Sequence, residues 1–534
     1  MSDAAGPANP SSPSNPPGTG DRGSESRANA PKRGSEGRPA AARSFQAPKG
    51  TRDFYPADLL RRRYIIDTWR RVSLRHGFEE IDGPTFEDSD LYTVKSGEGI
   101  LNELFGAYSG KDPNDTKQVQ AGGPPPFALR PEFTPTLARM YAARARQLPQ
   151  PTKWFCVSNF FRAERPQRGR LREFWQWNAD TLGDNSVVAD AETAGLSIEC
   201  LIDCGVSEGV CTLSVSDRTV IERLLSEGNV PIENRDAIYH VLDKAEKLGP
   251  RFVEEARAIG MPEGLILVFS PTGLSHPAVD LTTTTHKHVI DASTSPLLSD
   301  WRSISDRFFS FFERGLKPFQ DAMLQFQHSS RSVKGTASIV RGLAYYTGTV
   351  FELIAEGERA VAGGGRYDKL IELFGGPPTP AVGFGMGDVV LTNLLDDRKL
   401  MPEGRDLLEA CSRPLPVRCD VFVVANEKDE AQAQVVPTVA ALRRGVESET
   451  YRQGGCKPWS LERYDVAPLH ARRSYKTTKN IGKLLGDATA CHARFALIIE
   501  DGEKGTLKNL DTREEFKDVA LSEVGKRVSG GPGL

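Results

Sequence analysis

The chain lacks any apolar run approaching the roughly 18 residues that span a bilayer; Leu265 to Phe269 is typical of its apolar runs. A helical membrane protein is excluded. It also lacks a surplus of basic charge: 68 Lys and Arg stand against 71 Asp and Glu, a net charge of −3. Any nucleic acid must therefore be held by local basic patches. Cysteine is sparse, eight in 534 residues, with no CxxC pair and no zinc-finger spacing. Cys200 and Cys204 are i, i+4 with Cys211 beyond, but no fourth ligand is near. They read as buried reduced thiols of a cytosolic protein. His286 and His288 have no carboxylate or thiol close by and read as ordinary residues. Residues 1–43 contain no Leu, Ile, Val, Phe, Tyr or Trp. Such a segment cannot offset its ordering entropy by burial. It has neither the apolar stretch of a secretory signal nor the amphipathic face of a transit peptide. A disordered tail is expected.

What is present fits a soluble, multidomain globular chain: 39% hydrophobic and 26% charged residues. Order is expected from Phe45. Ile65, Ile66, Trp69 and Val72 at three-to-four spacing predict a helix over Leu59 to Arg75. A strand follows at Phe78 to Ile81. Residues 110–126 read as a Pro-Gly loop, Phe127 to Arg130 as a short strand and Thr136 to Arg146 as a helix. Residues 219–330 are mainly helical in pattern, with Asn234–Leu248 and Ser303–Phe319 clearest. The apolar face of Phe308, Phe309, Phe311 and Phe312 reads as core. β character returns over 339–354, with Gly-rich turns over 363–387. After a polar linker near 400–415, Asp420–Ala425, Gln432–Arg443 and Phe495–Ile499 read as strand, helix and strand of an α/β unit.

The most informative stretch is Trp154 to Asp180. It predicts a long antiparallel hairpin whose strands, Trp154–Glu164 and Leu171–Asp180, flank a basic turn over Arg165 to Arg170. Side chains alternate faces along a strand. Arg172, Phe174, Gln176, Asn178 and Asp180 thus share one face, and Leu171, Glu173, Trp175, Trp177 and Ala179 the other. Arg162 and Glu164 share a face of the first strand. Guanidinium forks bind phosphate oxygens bidentately. A polar face with such groups at one end and a carboxylate at the other suits a zwitterion joined to a polyphosphate. Phe174 is placed to stack on a nucleobase. A solvated sheet with ordinary surface charges fits the alternation equally well.

The run Phe161-Arg162-Ala163-Glu164-Arg165-Pro166-Gln167-Arg168-Gly169-Arg170-Leu171-Arg172-Glu173-Phe174 resembles motif 2 of histidyl-tRNA synthetases, which are class II aminoacyl-tRNA synthetases. Pro48 to Phe54 resembles that family's opening segment, and Gly77 to Ile81 with Pro84 resembles motif 1, which builds the dimer interface. Leu129 to Thr134 resembles the strand that binds the substrate's α-amino group. Arg341 to Glu352 resembles the histidine-specific signature, Gly364 to Asp368 the turn after it, and Ala381 to Gly387 the start of motif 3. These blocks fall in family order across roughly residues 45–395. The C-terminal α/β unit is similar, more loosely, to the anticodon-binding domain.

The resemblance implies an α+β fold. An antiparallel-sheet catalytic domain over 44–400, with a helical insertion at about 219–330, would precede an α/β anticodon-binding domain over 416–525. It implies a cytoplasmic homodimer that uses ATP and Mg²⁺ to join histidine to histidine tRNA through histidyl-adenylate. By motif position, Glu132 and Thr134 would bind the α-amino group and Gln176 the carboxylate. Asp180, Tyr345 and Tyr346 would bind the imidazole side. Arg162 would hold the α-phosphate, Glu164 the adenine edge, Phe174 the ring, and Arg170 with Arg172 the distal phosphates. Arg341 would neutralise charge developing at the α-phosphate. No resident metal ligands are expected. Three positions depart from the family. Ala344 stands where Asp is usual, Asp180 is a methylene shorter than the common Glu, and Val390 replaces the motif 3 Arg that clamps ATP. These departures raise an alternative: a non-catalytic, histidine-sensing regulatory subunit of ATP phosphoribosyltransferase, which lacks the C-terminal domain. The basic segment Cys456–Lys479 reads as a solvated loop or a track for tRNA phosphates.

Overall fold

The computed structural model describes residues 46–96, 103–207, 209–269, 314–328, 333–335, 345–355, 358–476, 478 and 480–530. The expected tail, His286, His288, the Phe308–Phe312 face, Arg341 and Ala344 lie outside them. No helix among the described residues is long and apolar enough to cross a membrane.

Helix α1 spans Pro56–Arg75 and starts on a proline, whose fixed φ suits a first helical turn. It ends at His76, and Gly77 takes a φ of +78°. The predicted strand at Phe78 narrows to β1, Glu79–Glu80. The predicted hairpin is present as β5, Thr152–Phe161, and β6, Glu173–Leu182, in register from Thr152 opposite Leu182 to Phe161 opposite Glu173. Both strands lie farther from the basic turn than expected: the first ends at Phe161, not Glu164, and the second begins at Glu173, not Leu171. Short strands β2, Phe86–Asp88, β3, Phe105–Ala107, and β4, Phe127–Leu129, form a separate antiparallel sheet. Helix α2 spans Pro113–Gln120, where a loop was expected. Its signal is local: Asp112 accepts a hydrogen bond from the Asn114 amide, and Pro113 opens the first turn. Helix α3 spans Thr134–Arg144.

The main sheet has eight strands in the order β1-β5-β6-β11-β10-β9-β7-β8. Here β7 is Cys211–Asp217, β8 Val333–Gly335, β9 Thr349–Ala355, β10 Ala360–Arg366 and β11 Ala381–Gly387. Only the edge pairs β1–β5 and β7–β8 are parallel. Six of the eight glycines over 363–387 thus lie in the central strands β10 and β11, and the other two in the connection between them. A Cβ on Gly364 would collide with Gly383 O on the neighbouring strand, so glycine there permits close pairing. One face of the sheet is covered by α1 and by helix α4, Val187–Asp203. Trp69 and Trp177 stack there with centroids 6.2 Å apart, both fully buried.

Among the described residues the segment after β7 is helical: Arg218–Glu227, Ile232–Asp243, Ala245–Leu248, Phe252–Ala258 and Glu263–Phe269, then 314–325. The helix predicted over Asn234–Leu248 breaks at Lys244. Helix α5, Asp388–Asp397, follows β11 directly. The expected linker near 400–415 contains helix α6, Gly404–Cys411, whose Leu407 and Ala410 are buried, and which packs on α1. The C-terminal unit has its own five-stranded sheet and core. Val421–Ala425 is flanked in parallel by Ala471–Arg473 and Phe495–Ile499, with Lys504–Asn509 and Glu515–Ala520 added antiparallel. The predicted helix there is split into Asp429–Ala433 and Val435–Arg444. All eight cysteines are free thiols.

Candidate active site

The pleat of β6 sets the site. Trp175, Trp177 and Ala179 turn toward the core, and Gln176, Asn178 and Asp180 turn to the open face. There they line a pocket of about 260 Å³ with Glu132, Thr134, Arg162, Tyr345, Tyr346 and Tyr367. Glu132 and Thr134 come from the junction of β4 and α3, Arg162 from the end of β5, and Tyr345 and Tyr346 from the residues before β9. The floor is glycine: Gly363, Gly383 and Gly385. A Cβ on Gly383 would overlap Asp180 Oδ1, and one on Gly385 would lie 2.7 Å from Gln176 Nε2. Side chains at either position would fill the pocket.

The polar groups are held in place. The Tyr367 hydroxyl donates to Asp180 Oδ1 at 2.5 Å. Gln176 Nε2 donates to Asn178 Oδ1 at 2.8 Å, which fixes the amide orientation. Arg162 Nε donates to Pro131 O at 3.1 Å, and its guanidinium lies 5.1 Å from the Phe174 ring centroid. The Tyr345 and Tyr346 rings are 4.2 Å apart. Burial, followed by neighbouring acidic groups, pushes the phenols of Tyr345, Tyr346 and Tyr367 above their ordinary value. They remain protonated hydrogen-bond donors at neutral pH. Among the described residues the lining offers two carboxylates, one guanidinium, a hydroxyl, amides and phenols, but no Ser, Cys, Lys or His. Such a site can hold a zwitterion and position it.

The structure brings Glu132, Thr134, Arg162, Gln176, Asp180, Tyr345 and Tyr346 into this one pocket. Glu164, Arg170, Arg172 and Phe174 lie along the adjoining hairpin and do not line it. Glu164 is ion-paired with Arg170, and its carbonyl accepts from Arg172 Nε at 3.1 Å. Phe174 packs on Phe160 and is nearly buried. The opening segment is tied to this hairpin: Gly50 O accepts from the Arg172 amide at 2.8 Å. Arg52 pairs with Asp388 at 2.6 Å. Val390 is buried beneath the basic turn, where a Cβ on Gly169 would lie 3.3 Å from Val390 Cγ2. Sequence reasoning gave no role to Tyr367 and Asn178. Asn178 was on the polar face by alternation, and Tyr367 stood in a matched motif; its contact with Asp180 spans 187 residues and exists only in the fold.

Within the basic segment Cys456–Lys479, whose Lys479 lies outside the described residues, the lysines Lys457 and Lys476 are exposed but the arginines turn toward the rest of the protein. Arg463 is buried and donates to Glu447 Oε1 at 2.9 Å and Asp203 O at 3.3 Å. Arg472 donates to Gly77 O at 2.7 Å. These side chains join the C-terminal unit to the catalytic sheet.

A family profile described as histidyl-tRNA synthetase matches residues 50–249 and 322–388. The chain is 37% identical over 365 residues to the histidine–tRNA ligase of Opitutus terrae, covering 67% of this chain and 76% of that one. It is 32% identical over 431 residues to a chloroplastic/mitochondrial histidine–tRNA ligase of Arabidopsis thaliana, covering 80% and 79%. Its fold is similar to that of a histidyl-tRNA synthetase from Nostoc sp. PCC 7120, with TM-score 0.50, 21% identity and coverage of 91% and 99%. With the profile spanning both the hairpin and the pocket, and relatives more than 30% identical over most of their length, the chain belongs to the histidyl-tRNA synthetase family.

Proposed function

We propose that this chain ligates histidine to the 3′ end of histidine tRNA, using ATP and passing through histidyl-adenylate. One observation carries the reading. A single pocket collects all six side chains expected to bind the amino acid, with Arg162 at its edge. Glu132 and Thr134 take the α-ammonium, Gln176 the carboxylate, and Asp180 with Tyr345 and Tyr346 the imidazole. The histidine carboxylate attacks the α-phosphate of ATP in line, and pyrophosphate leaves. Negative charge spreads over the nonbridging oxygens. Arg162 stabilises it without reorganising, a contribution of about 10²–10³ in rate for one such donor. Arg341 shares this role by motif position. The terminal ribose hydroxyl of the tRNA then attacks the activated carboxyl and releases AMP.

Phe174 stacks on adenine and Glu164 holds its edge. Val390 offers no charge, so Arg170 and Arg172 take the distal phosphates. Arg170 exchanges its Glu164 partner for phosphate when ATP binds. Among the described residues no three His, Cys, Asp or Glu side chains converge as a metal cage. Mg²⁺ accompanies ATP as part of the substrate. The C-terminal unit reads the anticodon, and the working form is a cytoplasmic homodimer. The regulatory-subunit alternative is disfavoured by the retained Arg162 and Arg170 and by the C-terminal unit. Histidine-dependent ATP–pyrophosphate exchange, followed by charging of histidine tRNA, tests the reading. Protein that binds histidine yet shows no exchange at saturating ATP and Mg²⁺ would overturn it.

A further inference from the structure

A second cavity, of about 430 Å³, lies between the catalytic sheet and the C-terminal unit. It is on the opposite side of the sheet from the first. Trp154 pairs with Asp180 on the active-site face, and the adjacent pair, Lys153 and Thr181, points the other way. Five cations line the cavity: Lys153, Arg443, Arg472, Arg473 and Lys476. The carboxylates around them do not match them all. Glu192, fully buried, accepts from Lys153 at 2.8 Å and from Arg443 at 2.7 Å. Lys476 pairs with Asp487 at 2.5 Å, and Arg472 lies 3.3 Å from Glu79.

Arg473 is the most loosely paired of the five. Its guanidinium stacks 4.1 Å from the Tyr475 ring centroid. Its Nη2 makes an ion pair with Glu192 Oε2 at 3.9 Å, beyond hydrogen-bond distance; burial lowers its pKa, but Tyr475, Glu192 and Asp184 together outweigh that and raise it. Its Nε is buried with no partner among the described residues. Three largely buried cations, Lys153, Arg443 and Arg473, therefore share one carboxylate. A guanidinium fixed flat on a ring presents a ready fork to a tetrahedral oxyanion.

We propose that this cavity binds a small phosphate-bearing anion, of the size of a diphosphate or a mononucleotide, on Arg473 and its neighbouring cations. The anion completes the charge balance and ties the C-terminal unit to the catalytic sheet. Its volume is within the usual range of small-molecule sites.

Cys491 lines the same cavity and is partly exposed, whereas Cys456, also partly exposed, does not line it. The Cys419 thiol, with Arg472 beside it, lowers the Cys491 thiol against the effect of burial, which favours its reactive thiolate form. The test is iodoacetamide labelling of the full chain, read at each cysteine by peptide mass mapping, with pyrophosphate as the probe. Pyrophosphate should slow labelling of Cys491 several-fold and leave Cys456 unchanged. The Arg162→Ala variant, whose active site is impaired, should keep this protection. Arg473→Gln should lose it while retaining adenylate formation within a few-fold; if that variant fails to fold, the wild-type labelling still decides. Unchanged labelling of Cys491 at saturating pyrophosphate would overturn the proposal. So would protection lost with Arg162→Ala or kept in folded Arg473→Gln. Protection by tRNA but not by pyrophosphate would also overturn it, and would assign the cavity to an RNA backbone.

Discussion

Asp180 meets Tyr367 through one oxygen, and in the proposed site its carboxylate also accepts an imidazole N–H. Replacing it with Asn removes the charge and can present an amide donor to the ring donor. A hydrogen bond to a charged group is worth about 1.5–3 kcal/mol. Asp180→Asn should therefore raise the KM for histidine by roughly ten- to a hundredfold and leave that for ATP within a few-fold. Equal effects on both substrates in pyrophosphate exchange would place Asp180 outside the amino-acid site. A second expectation concerns acid. Burial lowers His328 to about 4, against Glu199, and burial with Arg472 lowers His470 to about 3. The unfolded chain takes up protons near the ordinary value of 6.5, whereas the native state does not. Unfolding free energy should thus fall as pH drops from about 6.5 toward 4, with a slope of up to about 1.4 kcal/mol per pH unit for each histidine. Urea midpoints at pH 7 and 5 measure this, and His328→Gln should flatten the slope. Alternation alone placed Gln176, Asn178 and Asp180 on one face. It could not show that Tyr367 closes on Asp180, because that contact joins separate strands.

The β5–β6 hairpin is the element on which the site depends. Its core face carries Trp177, fully buried between Trp69 and Phe384, whose centroid is 4.8 Å away. Trp177→Ala should cost about 3–5 kcal/mol through the cavity it leaves. The loss should appear in urea unfolding, with histidine binding to the remaining folded protein weakened because Gln176 and Asn178 flank position 177. Unaltered stability would mean that the neighbours collapse into the space. The hairpin was legible because its alternation is strong and its turn is polar. Strands β10 and β11 were not, because glycine carries no side-chain pattern. Their strand conformation comes from ladder pairing on both sides and from the need for a floor without Cβ atoms. Helix α6 was hidden for a different reason: its short apolar stripe has meaning only against α1.

At the scale of the whole molecule, the catalytic sheet and the C-terminal unit are joined by a buried ionic seam. Burial raises Glu192, but Lys153, Arg443 and Arg473 outweigh it and hold the carboxyl well below its usual range. Glu192→Ala would strand Lys153 and Arg443 without a counter-charge, a loss of about 3–5 kcal/mol. The exposed pair Arg63–Asp67 should contribute no more than about 0.5 kcal/mol. Limited proteolysis should release the C-terminal unit faster from Glu192→Ala than from Asp67→Ala; equal rates would show that apolar contacts alone hold the seam. The sequence by itself determined the hairpin, the order of the motifs, the polar face of β6 and an α/β unit at the C-terminal end. Each is written in local periodicity or in a contiguous block of residues. Only the tertiary structure decided which side chains share the pocket, that Val390 lies beneath the basic turn, and that the arginines of the basic segment after Cys456 face inward. Those outcomes depend on contacts between residues hundreds of positions apart. Whether a charge is solvated or buried is set by the partner it meets in the fold, and a linear pattern does not contain that partner.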